Sequence, residues 1–282
     1  MADSLKDISD KRPRGRRPIR RKIAAYRETR PDKTRIVPRR AAVPSFFTLM
    51  NLFSGFLAII QIADGRFTYA AWLIVLAGFF DLLDGMMARL AQAQSDFGIQ
   101  LDSLSDVVSF GLAPSFLVYK FGLDQFGMPG LMIASLPAIC GAVRLARFNV
   151  AADGDKKAYY EGLPIPVQAA VIVTFILTFR DLTWFDRFAM GAMSVLIPMV
   201  IGLSALMITS INFAAIPKLT VESLRRRPYQ VLALAVGILM TLFLQEVGLF
   251  LAMIGYLLLN VGASIYRFVL AVWRADNPSN GN

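Results

Sequence analysis

The sequence predicts an all-α, polytopic integral membrane bundle of about eight helices, and three observations lead there. Hydrophobic residues fill 56% of the 282 positions and charged residues only 18%, with a mean hydropathy of +0.53, far from a soluble globular balance. Apolar runs of about 17–25 residues recur along the chain, the length a helix needs to cross a hydrocarbon core. Nothing shows the alternation of a membrane barrel, and backbone groups in hydrocarbon need partners within their own segment, so the runs are read as helices.

Taken in order, residues 1–43 form a basic tail with 15 Lys and Arg against 5 Asp and Glu, which accounts for the whole net charge of +10. Its stretch "KRPRGRRPIRRK" is expected to be disordered in isolation and lacks the apolar core of a signal peptide. Placed before the first span, it fits the positive-inside rule and attraction to anionic membrane lipids better than nucleic-acid binding, and no nucleic-acid partner is expected. The spans follow at 45–63, 68–90, 101–120, 129–147, 164–180, 189–208, 229–245 and 247–270. Cys140 reads as a small packing residue of span four. Pro164 and Pro166 open span five, where early N–H groups lack partners anyway. Tyr159, Tyr160, Trp184 and Trp273 fall at expected interfaces, and Arg225, Arg226 and Arg227 face anionic lipid.

Orientation follows from the remaining cations. With the N-terminus inside and an even number of spans, the inner side collects Arg89, Arg144, Arg147, Lys156, Lys157, Lys218, Arg225, Arg226, Arg227, Arg267 and Arg274. The outer side collects Arg66, Lys120, Arg180 and Arg187. This asymmetry puts both termini, and the turn between spans two and three, in the cytoplasm.

That turn joins two acidic stretches in "FFDLLDGMMARLAQAQSDFGIQLDSLSD". Asp81 and Asp84 lie within about 60° of each other on one helix, and Asp102 and Asp106 within about 40° on the next. Each unpaired carboxylate at membrane depth costs on the order of 2.5–3.5 kcal/mol at the helix centre, so four together require compensation. Arg89 alone does not supply it. With no histidine and one cysteine in the chain, any Ser-His-Asp triad is excluded and the donor set argues against zinc; hard oxygen donors from two helices suit Mg²⁺ or Mn²⁺. Two such ions, about 3.5–4 Å apart, would hold a phosphate or pyrophosphate. Gly85 and Ala88 leave room beside Asp81, and Gly98 does so one turn before Asp102. Other readings of the spacing are interfacial acids that cap span three or pair with Arg89, and an ion-coupled transporter with buried acids along its path.

The pattern D-x-x-D-G-x-x-A-R followed by G-x-x-x-D-x-x-x-D resembles the signature of the CDP-alcohol phosphatidyltransferases. All eight fixed positions are present within 26 residues: Asp81, Asp84, Gly85, Ala88, Arg89, Gly98, Asp102 and Asp106. The resemblance implies that Asp81, Asp84 and Asp102 bind one metal, that Asp81, Asp102 and Asp106 bind a second, and that Asp106 is the general base. It assigns Gly85, Ala88 and Arg89 to the cytidine-nucleotide site of CDP-diacylglycerol. Residues 44–208 would be the catalytic transmembrane core and 209–282 a C-terminal helix pair with a short tail, and a homodimer is the family expectation.

The acceptor alcohol is less constrained: serine, glycerol 3-phosphate, an inositol phosphate or choline. "PSFFTLMNLFSGFLAI", "LDSLSDVVSFGLAPS", "RLARFN" and "EGLPIPVQAA" are similar to bacterial and archaeal members of that family that act on L-serine, over about residues 38–270. Ser45 departs from the Asn expected after Pro44; Thr48 and Asn51 remain candidates for the nucleotide or lipid site. Arg144 and Arg147 offer guanidinium forks for a carboxylate or phosphate, or simply anchor the inner end of span four. Asn149 is a candidate partner for the acceptor's ammonium or a helix cap.

Overall fold

The computed structural model describes residues 42–91, 96–151, 160–180, 191–209, 212–213 and 228–276. The basic tail up to residue 41, Lys156, Lys157, Tyr159, Trp184, Arg187, Lys218 and Arg225 to Arg227 lie outside the described residues. Helices dominate: α1 (Ala42–Ala63), α2 (Phe67–Ala91), α3 (Asp96–Asp106), a π-helical segment (Val107–Leu112), α4 (Ala113–Phe121), a 3₁₀ turn (Leu123–Phe126), α5 (Gly127–Ala151), α6 (Ile165–Phe179), α7 (Met193–Ile208) and α8 (Pro228–Asp276). Two-residue strands β1 (Tyr160–Glu161) and β2 (Asn212–Phe213) pair antiparallel between helices.

The helices are apolar on the outside and carry polar groups inside, the pattern expected when lipid is the solvent. On α1, Phe46, Leu49, Phe53, Phe56 and Ile60 are exposed at three- and four-residue spacing, whereas Thr48, Asn51 and Ser54 are buried. Five stretches are long and apolar enough to cross a membrane: Phe46–Ala63, Phe67–Leu90, Phe97–Phe121, Leu123–Val150 and Leu239–Ser264. Two shorter apolar helices, Ile165–Phe179 and Met193–Ile208, accompany them. The chain is therefore read as an integral membrane protein.

The last stretch is not one straight helix. Gln245 has φ 50 and ψ −120, and beyond it the chain folds back. A Cβ on Gly237 would lie 3.2 Å from Cβ of Ala252, and one on Gly248 would lie 2.0 Å from the Met240 carbonyl oxygen. Residues fifteen apart in a straight helix stand about 22 Å apart, so α8 is a hairpin of two arms with its break at Gln245; the sequence expectation places spans at 229–245 and 247–270.

Two prolines explain two irregularities. Pro114 has no N–H to give to Phe110 and crowds its carbonyl, and the helix widens just upstream into the π segment, where Ala113 N–H bonds to the Val108 carbonyl. Pro137 lies inside α5, and the next amide, Ala138 N–H, donates to Ser115 Oγ at 3.1 Å. Pro164 caps α6 in an extended conformation and Pro166 sits in its first turn, the structural role expected.

One end of the bundle gathers Arg66, Lys120 and Arg180, the described residues among those assigned to the outer side. The Gly65 turn (φ 74) joins α1 to α2; Phe67 stacks edge-on against Phe121 at 5.9 Å. Arg180 Nη1 donates to Thr68 Oγ1 at 2.6 Å, and Nη2 lies 3.8 Å from Glu246 Oε2 at the α8 reversal. The acidic motif lies at the opposite end of α2.

Candidate functional site

At that opposite end, the C-terminal half of α2 faces α1 and α3. Asp81, Asp102 and Asp106 each offer a carboxylate oxygen, and these atoms lie within 4.8 Å of one another. Three bare carboxylates at such separations repel by about 3 kcal/mol per pair at an effective dielectric constant of about 20. Hard, all-oxygen donors converging from two helices fit a divalent cation such as Mg²⁺ or Mn²⁺. Asp84 stands beside the triad and interacts electrostatically with Asp81 and Asp102. Its Oδ2 accepts a short hydrogen bond from Thr48 Oγ1, while its buried Oδ1 has no hydrogen-bond partner among the described residues.

The carboxylates are held by a ladder of side chains between α1 and the helix that runs through α3 into the π segment. Ser105 Oγ donates to the Thr48 carbonyl at 3.1 Å, and Ser109 Oγ donates to the Asn51 carbonyl at 2.9 Å. The same two α1 residues turn their side chains to the acids: Thr48 to Asp84, and Asn51 Nδ2 to Asp106 Oδ1 at 3.4 Å. Four-residue spacing on one helix meets three-residue spacing on the other, so both rungs form on facing sides. Gly55 makes the approach possible: a Cβ there would lie 2.7 Å from Ser109 Cα and 2.3 Å from its Oγ.

The sequence motif and the structure agree on the grouping of Asp81, Asp102 and Asp106, with Asp84 alongside. Gly85 faces Arg89, whose exposed guanidinium folds back so that Nη1 is 3.4 Å from where a Cβ on Gly85 would stand. Ala88 and Gly98 are half-buried near the ends of α2 and α3. Thr48 and Asn51, expected at the nucleotide or lipid, donate hydrogen bonds to Asp84 and Asp106 in this structure.

The three candidates on α5 separate. Arg144 is 8% exposed and its charge acts directly on Asp106. Arg147 is exposed and its Nη1 donates to the Ile208 carbonyl at 3.0 Å, closing the C-terminal end of α7. Asn149 Nδ2 donates to Ser103 Oγ at 3.0 Å, tying α5 to α3. Ser105 and Ser109 were not singled out from the sequence, although both sit at helical spacing from Asp102 on one polar face of an apolar span.

A helical membrane bundle with converging carboxylates and a buried guanidinium defines a membrane protein whose acidic cluster could hold a hard cation. The CDP-alcohol phosphatidyltransferase family model matches residues 41–201, which takes in the whole cluster. The chain belongs to that family. Among its relatives, a CDP-diacylglycerol–serine O-phosphatidyltransferase of Helicobacter pylori is 40% identical over 134 residues, 48% of this chain and 56% of that protein. An archaetidylserine synthase of Methanothermobacter thermautotrophicus is 42% identical over 159 residues, 55% of this chain and 66% of its own length. The chain thus spans between about half and two thirds of these two relatives. A CDP-diacylglycerol–serine O-phosphatidyltransferase of Bacillus subtilis is 34% identical over 182 residues, 64% of this chain and 95% of that protein.

Proposed function

We propose that this protein transfers the phosphatidyl group of CDP-diacylglycerol to the hydroxyl of L-serine, giving phosphatidylserine and CMP. The observation that carries this reading is the convergence of Asp81, Asp102 and Asp106 within 4.8 Å, with Arg144 acting on Asp106. The names of the relatives support the donor and the acceptor.

Asp81, Asp84, Asp102 and Asp106 would hold one or two Mg²⁺ or Mn²⁺ ions. Bound there, divalent ions neutralise charge on the donor's two phosphates. The protein's own groups do the rest. Asp106 accepts the serine hydroxyl proton as the oxygen forms a bond to the lipid-side phosphorus. The bond from that phosphorus to the bridging oxygen breaks, and CMP departs with the electron pair. Gly85 and Ala88 leave space for the cytidine nucleotide, and Arg89, Gly98, Thr48 and Asn51 border it. Arg144 and Arg147, with Asn149, are the candidates for the acceptor or a phosphate, and Arg144 is the best placed of the three. Positioning and electrostatics suffice for such a transfer without a covalent nucleophile.

The same reading puts α6, α7 and both arms of α8 across the membrane, for eight spans in the cytoplasmic membrane. The site and both termini then face the cytoplasm, residues 1–43 meet anionic lipid, and the protein is a homodimer. Purified protein is tested with CDP-diacylglycerol and serine, glycerol 3-phosphate, inositol phosphate or choline in parallel. CMP release and lipid product with serine alone are expected. Product with another alcohol and none with serine overturns the acceptor, and the absence of CMP with any alcohol returns the transporter reading. Chelation by EDTA should stop CMP release, and added Mg²⁺ or Mn²⁺ should restore it.

A further inference from the structure

We infer that Gln168, with Ser204 behind it, forms the inner wall of the acceptor pocket and selects a small zwitterionic alcohol. This rests on the transferase reading above. Gln168 is 0% exposed, yet neither Oε1 nor Nε2 has a hydrogen-bond partner among the described residues. Ser204, 1% exposed, has an equally unpartnered Oγ. Buried amides and hydroxyls are normally paired, and in a bundle interior the bare groups are costly. Packing alone favours leucine at 168.

Helix register brings these groups toward the site. Ile165 of α6 and Met207 of α7 meet over Gly141 of α5, with Ile165 Cδ1 3.1 Å and Met207 Cε 3.4 Å from where its Cβ would stand. The two helices run in opposite directions here, since Leu163 N–H, just before α6, donates to the Leu206 carbonyl at 3.1 Å. Gln168, three residues after Ile165, and Ser204, three before Met207, therefore share one level and retain those faces. Arg144, whose charge acts on Asp106, lies three residues from Gly141 in the other direction. Side chains lean toward a helix N-terminus. Gln168 thus leans toward the carboxylate end, and Arg144 leans inward toward the same level. α6 also packs on the π segment that begins directly after Asp106.

The chemistry of an amide matches a zwitterion. Its oxygen accepts from an ammonium and its nitrogen donates to a carboxylate, while the hydroxyl points to Asp106. Choline has no N–H to give, and a phosphomonoester offers only acceptors.

The test measures initial rates for Gln168→Leu, Gln168→Met and Gln168→Glu with CDP-diacylglycerol in detergent. The Leu and Met variants are expected to raise the KM for serine by about ten- to a hundredfold. Their KM for CDP-diacylglycerol and their melting temperatures should hold or, for Leu, improve. Gln168→Glu keeps an acceptor for the ammonium but repels the carboxylate, so it should shift preference from serine toward ethanolamine. An unchanged KM for serine in both apolar variants overturns the inference. So does a loss shared equally by CDP-diacylglycerol, or a lowered melting temperature. Wild-type protein that releases CMP only with a different alcohol instead defeats the serine assignment, and this inference falls with it.

Discussion

Asp106 occupies the one position where three influences meet: the carboxylates of Asp81 and Asp102, the charge of Arg144, and the amide of Asn51. Asp106→Asn preserves shape and removes the proton acceptor we propose, so turnover should fall by about 10²–10⁴-fold while CDP binding is largely kept. Single-turnover kinetics beside nucleotide binding check this, and normal turnover removes the base assignment. Thr48 acts one step back. Thr48→Val deletes the donor to Asp84, leaving that buried carboxylate short of a partner, and should destabilise the fold by about 1–3 kcal/mol. Thr48→Ser keeps the hydroxyl and should restore most of that loss in a thermal melt. If Val and Ser behave alike, the hydrogen bond to Asp84 contributes nothing.

Elements were legible in the sequence where lipid sets the pattern, and less so where one helix touches another. The long apolar runs gave α1, α2, α5 and the two arms of α8 because the length needed to span hydrocarbon is fixed. The acidic spacing likewise put Asp81 with Asp84 and Asp102 with Asp106. What stayed hidden are tertiary partners: nothing local told that Ser105 and Ser109 would grip α1 carbonyls, or that Arg147 would cap α7 while Arg144 turned to Asp106. Glycines mark such contacts only once the partner is known. Gly55→Ala should drive a methyl group into the Ser109 backbone and cost about 1–3 kcal/mol, with activity lost as α1 is pushed off the carboxylates. Gly162, at φ +79 with a Cβ position 2.2 Å from the Met207 carbonyl oxygen, is constrained twice over by conformation and space.

At the scale of the whole molecule, the two ends of the bundle differ in kind. One carries the carboxylates and Arg144; the other carries the Gly65 turn, the Leu123–Phe126 turn and the Arg180–Glu246 contact at the α8 reversal. Arg66, Lys120 and Arg180, which the sequence assigned to outer loops, fall at the second end, as the orientation we propose requires. The hairpin at Gln245 makes this testable, because the proposed eight spans return the end of α8 to the carboxylate side. Cys140 is the sole cysteine in the chain, so Cys140→Ser gives a background for single-cysteine labelling in intact cells. Cysteines replacing Asp64, Asp124 and Glu246 should react with an impermeant maleimide added outside. Those replacing Val150 and Trp273, both exposed, should react only after permeabilisation. If positions 246 and 273 label from the same side, the two arms of α8 do not both cross, the count drops below eight, and the cytoplasmic assignment of the C-terminal end loses its support.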